Sequence, residues 1–462
     1  SSYNNKCPRE DSLRECFNKS SIKGSINFRN EFAYNGDLSM EYNARVIYFP
    51  VAFVHPIDVL DVQNAIKCGS ELNFPVVARS GGHSYESYSI GDGDCYLIID
   101  LVNLKDIAIN TTTQTAVIGT GNTLESFYFA VNKYVFAFPA GGCPGVGVGG
   151  HIMGGGQGLL NRKFGVSSDN ILDAEIVLAN GTVIHSVKEY PELLWAIRGA
   201  GNAGYGIITS LTLKIHPIQK IVSSVLFTYD FNQIPLVYSV MSKIADNLHQ
   251  NLSFVINHLP LYKIYVRGVF LGPTNELQNH VQEFIKLTEP KIVTYTEGDW
   301  FNMTIDYTDS LETRSSFKAK SFFVNLMGIS DEGVKYLMKF VASYKCLMTF
   351  ESLVFGGGRV NEVMRNETAF VHRGFMYSIL IKANTTISET CLEDLEIFSK
   401  YFQKTYTSYE SYQNLIDRKL DHWQCRYYRE NFKKLVEIKQ QYDPYNLFHW
   451  NQSIPIETNI SC

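Results

Sequence analysis

At 462 residues the chain exceeds what one hydrophobic core usually organises, so two domains are expected, and 45% hydrophobic residues is enough to fill both. A formal charge of -5 without a basic block argues against nucleic-acid binding, and no apolar run approaches the roughly 18 residues that a membrane span requires. The partner left by these exclusions is a small molecule or a neutral polymer.

The chain opens Ser1-Ser-Tyr-Asn-Asn-Lys-Cys7, with neither an initiating methionine nor an apolar leader, and reads as a mature form that has lost a targeting segment. Its nine cysteines are an odd number. Setting Cys143 aside leaves Cys7, Cys16, Cys68, Cys95, Cys346, Cys391, Cys425 and Cys462 either to pair or to be small buried hydrophobes. Glycosylation motifs favour pairing: Asn18, Asn110, Asn180, Asn251, Asn302, Asn366, Asn384, Asn451 and Asn459 each begin Asn-x-Ser/Thr. That density predicts N-linked glycans and a secreted, extracellular or vacuolar protein with an oxidising history.

From about residue 45 to 215, short apolar strands broken by glycine turns alternate with helical segments. Pro56–Lys67 carries apolar residues at helical spacing, with proline near its start. Phe74-Pro-Val-Val-Ala78 reads as a buried strand that delivers the loop Arg79-Ser-Gly-Gly-His-Ser-Tyr85. Tyr96–Leu101 and Ala116–Gly119 are further strands, and Thr123–Asn132 is a helix opened by a threonine cap. A second glycine-rich loop follows, Gly141-Gly-Cys-Pro-Gly-Val-Gly-Val-Gly-Gly-His151, and continues through Gly154 and Gly155 to Leu160. Glycines let a backbone turn sharply and approach a ligand closely. An imidazole at 83 and a thiol at 143, each presented on such a loop, suggest a cofactor held against the main chain. Asp169–Leu178 is then a strand-bearing stretch.

Gly199-Ala-Gly-Asn-Ala-Gly204 satisfies the GxGxxG pattern of nicotinamide-binding folds. It follows a helix-like Leu-Leu-Trp-Ala-Ile and precedes a strand at Ile207–Lys214, whereas a dinucleotide fingerprint needs the strand before and the helix after. The nicotinamide reading is rejected, and a glycine turn near the cofactor is preferred. Beyond Pro217 the glycine density falls and aromatic residues rise, in strands such as Ser223–Tyr229 and Tyr262–Phe270 with helical stretches such as Glu276–Ile285 between them. An antiparallel sheet backed by helices fits this half and would supply the substrate-facing wall. Trp300, Tyr295 and Tyr307 are candidates for an aromatic platform there. The tail carries Tyr427–Lys439 and Tyr442-Asp-Pro-Tyr-Asn-Leu-Phe448.

Taken together, the His83 and Cys143 loops, Leu194-Trp-Ala-Ile-Arg-Gly-Ala-Gly-Asn-Ala-Gly-Tyr-Gly-Ile-Ile-Thr209, Phe370-Val-His-Arg373 and Glu410-Ser-Tyr-Gln-Asn-Leu415 resemble the FAD-linked oxidases of the berberine-bridge-enzyme and oligosaccharide-oxidase type, within the vanillyl-alcohol-oxidase group. The resemblance spans roughly residues 45 to 455. It implies an α+β flavoprotein with an FAD-binding domain in 1–216, a substrate domain in 217–416, and a tail, 417–462, that returns to the flavin domain. It also implies FAD attached twice, through its 8α-methyl carbon to His83 and through C6 to Cys143. Further cofactor contacts are implied at Arg79, Ser80, Gly81, Gly82 and Ser84, at Val146, Gly147, Gly149 and Gly150, at Gly154 and Gly155, and at Gly206, Ile207 and Asn446. A disulfide between Cys16 and Cys68 follows from the same likeness.

In this family a tyrosine at the position of Tyr412 serves as the base that takes the substrate's hydroxyl proton. An ordinary phenol loses its proton near pH 10, so such a base needs a cation or a helper. Lys382 and Arg373 are the cationic candidates, and Glu410 and Asp417 the carboxylates. Val146 occupies the position that gates oxygen access, where valine accompanies oxidases. Ser378 stands where alkaloid-forming relatives place an acid or amide. Tyr85, Tyr377 and Arg373 are expected to touch substrate. The expected reaction is oxidation of the anomeric hydroxyl of a neutral oligosaccharide by a monomeric enzyme, with oxygen reduced to hydrogen peroxide. Two alternatives stand beside it: an oxidase of aromatic or allylic alcohols, and a flavin-loaded binding protein with little turnover.

Overall fold

The computed structural model describes residues 6–201, 203–258, 264–306 and 313–462. Two sheets lie in the first half. Ser25–Phe28, Ala52–His55, Leu97–Asp100 and Val76–Arg79 form a four-stranded sheet in that order, the last three strands parallel. Ile107–Asn110, Thr115–Gly119, Ile207–Lys214, Ile171–Val177 and Val183–Ile184 form an antiparallel five-stranded sheet. Their helices begin where polar side chains cap free amides. The Asp58 carboxylate accepts from the Asp61 amide and starts Val59–Glu71, a helix placed three residues beyond Pro56. Thr123 and Ser126 form a capping box at Leu124–Asn132.

The second half is one antiparallel sheet of seven strands. Its order is Ile292–Gly298, Val222–Tyr229, Ile264–Phe270, Leu252–His258, Leu347–Val354, Phe375–Asn384 and Phe317–Asn325. Helices Ile234–Ile244, Thr274–Thr288, Asp331–Ser343 and Cys391–Tyr406 cover one face and share its apolar core. The other face looks toward the first half. The tail forms two helices, Trp423–Tyr428 and Phe432–Tyr442, separated by Arg429 at φ 46°, and Tyr427, Phe432 and Leu435 join the core that also holds Phe127, Trp195 and Leu211.

A buried charge network ties the halves and the tail together. Lys318 donates to Glu86 of the His83 loop and, at 2.5 Å, to Asp417 of the tail, which also accepts from Lys320 at 2.5 Å. Burial works to raise the Asp417 carboxyl, but the two ammonium groups outweigh it and hold it down at about 2.

Cys16 is bridged to Cys68, and Cys7–Cys95, Cys346–Cys391 and Cys425–Cys462 complete four disulfides, which leave Cys143 as a thiol. This pairing fits passage through an oxidising secretory compartment. No helix among the described residues is long and apolar enough to cross a membrane. Asn18, Asn110, Asn180, Asn302, Asn366, Asn451 and Asn459 are exposed.

Candidate active site

A cavity of about 410 Å³ opens between the two glycine-rich loops and the uncovered face of the seven-stranded sheet. The loops meet because neither carries a side chain at the crossing. A Cβ on Gly81 would fall 2.4 Å from the Gly147 nitrogen, and one on Gly147 would fall 2.2 Å from the Gly81 nitrogen. Ser80 Oγ accepts from the Gly149 amide at 3.2 Å and donates to the Thr120 carbonyl at 2.5 Å, which locks the crossing to the five-stranded sheet.

His83 and Cys143 both line this cavity. So do Ser80, Gly82, Ser84, Tyr85, Val146, Gly147, Gly149, Gly150, Gly206 and Ile207. Arg79 does not: its guanidinium turns back, pairs with Asp100 at 2.7 Å through Nε and lies 4.6 Å from the centre of the Phe53 ring, so it braces the loop from behind. Gly154 ends the helix Val148–Met153 and Gly155, at φ 130°, sits beneath Phe370, which a Cβ would meet at 2.6 Å; both support the cavity without lining it. Asn446, at φ 55°, turns the tail so that Phe448 and Trp450 reach the cavity, while its own side chain stays out.

Strand pleating decides the opposite wall. Successive side chains alternate between faces. Cross-strand pairing therefore sets two rows toward the cavity: Asn257, Glu351 and Leu380 in one, and Arg267, Val255, Leu353 and Ser378 in the other. Burial holds the Arg267 guanidinium below its usual range, against the attraction of Asp306, which also lines the cavity. Sequence reading missed Asn257, Arg267, Glu351 and Asp306, because no motif marks them.

The same alternation corrects the expectation for Tyr377. It points to the helix-covered face, where its hydroxyl lies 2.8 Å from Ser242 Oγ and 3.0 Å from the Tyr238 carbonyl. Arg373 likewise lies outside the cavity, where it grips both oxygens of Asp169, at 2.7 and 2.8 Å. The platform fails too. Trp300 is wholly buried against Tyr128 and Tyr295 packs on the helix-covered core, while Tyr307 lies outside the described residues.

Tyr412 lines the cavity, with its backbone amide held by Ser321 Oγ at 2.9 Å. Its hydroxyl oxygen accepts from the Gly156 amide at 2.8 Å and from Asn414 Nδ2 at 2.7 Å. Burial raises this phenol well above its ordinary range, and the Gly156 amide, Asn414 and the Gln157 amide pull it back in part. None of the four expected helpers reaches it. Lys382 bonds Tyr42, Arg373 holds Asp169, Glu410 holds Arg365, and Asp417 holds Lys318 and Lys320. Neutral N–H groups stand where a cation was expected, one of them from Asn414.

Residues 50–186 match the family model "FAD binding domain" and residues 411–455 match "Berberine and berberine like". Berberine bridge enzyme-like 9 of Arabidopsis thaliana is 31% identical in an alignment 453 residues long that covers 88% of this chain and 84% of that one. The chain belongs to the berberine bridge enzyme-like family. It is an FAD-linked oxidase of that family. Among solved structures, Physcomitrella patens BBE-like 1 superposes with a TM-score of 0.89 at 31% identity, covering 97% of this chain and 100% of that one. A chitooligosaccharide oxidase shares the fold with a TM-score of 0.88 at 24% identity, over 97% of this chain and all of that one. Monolignol oxidoreductase AtBBE-like 13 of Arabidopsis thaliana is 30% identical over 88% of this chain and 84% of its own.

The cavity suits the flavin that membership implies. Four buried polar atoms of its lining residues, His83 Nε2, Tyr88 Oη, Gln157 Nε2 and Thr304 Oγ1, have no hydrogen-bond partner among the described residues, as expected of a site built around a polar heterocycle. Gly147, Gly149, Gly150 and Gly206 keep the backbone open to it.

Proposed function

We propose that this berberine bridge enzyme-like chain is a monomeric, N-glycosylated carbohydrate oxidase that converts the anomeric C1 hydroxyl of a reducing-end oligosaccharide to the lactone, with FAD joined covalently to His83 and Cys143. The observation that carries the substrate class is the polarity of the sheet wall. Asn257 and Glu351 are cross-strand partners in one row, and Arg267 and Ser378 flank Val255 and Leu353 in the other. A sugar ring presents hydroxyl groups around its rim, and each needs a donor or acceptor once it leaves water. Charged and amide side chains a strand or two apart meet that need better than they would seat a flat phenol.

In this mechanism Tyr412 Oη takes the hydroxyl proton of the substrate, and the Gly156 amide and Asn414 Nδ2 stabilise the negative charge that the oxygen carries as it prepares to do so. FAD, held along the His83 and Cys143 loops, would supply the hydride acceptor and the route by which the electron pair reaches dioxygen as hydrogen peroxide. Tyr85 offers an aromatic face beside His83, and Val146 leaves room for oxygen. Peroxide release should be measured with cellobiose, maltose, lactose, xylobiose, chitobiose and coniferyl alcohol. Sugars with a free reducing end should react, and their sugar alcohols should be inert. Turnover of coniferyl alcohol alone would overturn the carbohydrate assignment in favour of an alcohol oxidase, and a yellow protein that turns over nothing would favour a binding role.

A further inference from the structure

Tyr42 belongs to none of the family motifs, yet it is packed against the residue proposed to anchor the flavin. Its ring stacks on the His83 imidazole, with centroids 3.7 Å apart and planes within 15° of parallel. The Tyr42 amide donates to the carbonyl of Gly82 at 2.8 Å, and the Ser315 amide donates to the Tyr42 carbonyl at 3.3 Å, so the stack is fixed at both ends of its backbone. From the far side Lys382 Nζ donates to Tyr42 Oη at 2.6 Å and lies 4.0 Å from the centre of the Phe317 ring. Lys382 is fully buried. Cys143 packs against the same Tyr42 and Phe317 pair, so one small aromatic cluster touches both proposed anchors.

We infer that Tyr42 and Lys382 are positioning residues for covalent flavin attachment at His83, the stacked ring fixing the plane of the imidazole and Lys382, through its bond to Tyr42 Oη, fixing the ring. This rests on the proposed attachment at His83. The chemistry requires a neutral ring. Joining an imidazole nitrogen to the flavin methyl carbon forms one N–C bond and removes one N–H and one C–H; the two protons and two electrons leave with dioxygen as hydrogen peroxide. A protonated imidazole has no lone pair to form that bond. Burial lowers the His83 proton affinity first and Lys382 adds to it, with His151 after, to a value of about 3.

The test compares wild type with Lys382→Met, Lys382→Arg and Tyr42→Leu, produced identically, digested, and assayed by mass spectrometry for flavin on the His83 and Cys143 peptides. Lys382→Met and Tyr42→Leu should lower the His83-linked fraction by about tenfold or more, the scale of lost orientation, while the Cys143-linked fraction persists. Lys382→Arg, which restores a donor to Tyr42 Oη, should recover most of the His83 linkage. An unchanged His83 fraction in both Lys382→Met and Tyr42→Leu overturns the inference. Equal loss of both linkages would trace to flavin binding at large and overturns it as well. Wild type without a flavin on His83 defeats the attachment reading itself, a result separable from the others because it precedes any substitution.

Discussion

Replacing Asn414 by alanine tests whether neutral hydrogen bonds make Tyr412 a base. Asn414 Nδ2 donates to Tyr412 Oη at 2.7 Å, and on its loss the Gly156 amide remains at 2.8 Å with the Gln157 amide beside it. A hydrogen bond to a charged acceptor is worth about 1.5–3 kcal/mol, and one pKa unit corresponds to about 1.4 kcal/mol. Losing the donor therefore raises the phenol by about one to two further units. The sign follows from which form the bond favours: donors stabilise the phenolate, and burial already opposes it. The rising limb of flavin reduction against pH should move to higher pH by that amount, with a fall of about 10- to 100-fold at fixed neutral pH. Anaerobic stopped-flow reduction across pH is the assay. A limb that stays in place while the rate falls uniformly would refute the reasoning, since Asn414 would then act on substrate position and not on the phenol.

Tyr412→Phe should keep the flavin absorbance and slow anaerobic reduction by about 100-fold or more; reduction at the wild-type rate would make the tyrosine a bystander. Val146→Leu should leave reduction by substrate intact and slow reoxidation by oxygen, and equal slowing of both half-reactions would count against a gate. Gly81→Ala drives a Cβ into the Gly147 backbone, so flavin content should fall and the protein should lose about 1–3 kcal/mol, read as a lowered melting temperature. Glu41 is buried, accepts from Ser89 Oγ at 2.6 Å, and burial lifts its carboxyl to about 7 from an ordinary 4.5. A folded-state value above the unfolded one means that its stabilisation is complete below about pH 4.5 and lost as pH rises through 7, about 3 kcal/mol in all. Glu41→Gln should therefore melt like wild type at pH 4.5 and higher than wild type at pH 8, and parallel melting curves across that range would contradict it.

Much of this protein was legible in its residues. Nine cysteines with one on a glycine-rich loop left eight that could all pair, and the eight do pair, with Cys143 as the thiol. The loop glycines carried their meaning locally, because a position that admits no Cβ constrains the backbone whatever surrounds it. The GxGxxG segment was set aside on local order alone, and the helix Pro191–Ala200 does run into its first residues, with the strand Ile207–Lys214 after it. What tertiary structure decided was everything that depends on which face a buried strand presents. Phe375–Asn384 is buried on both sides, so it has no polar alternation to read, and Tyr377 and Ser378 could not be told apart by pattern. Pairing with Leu347–Val354 sent Ser378 to the cavity and Tyr377 to the helices. The partners of Tyr412, Arg373 and Lys382 come from 204 to 340 residues away in the cases of Gly156, Asp169 and Tyr42. Such contacts form only when distant segments meet across a sheet, and no local spacing records them.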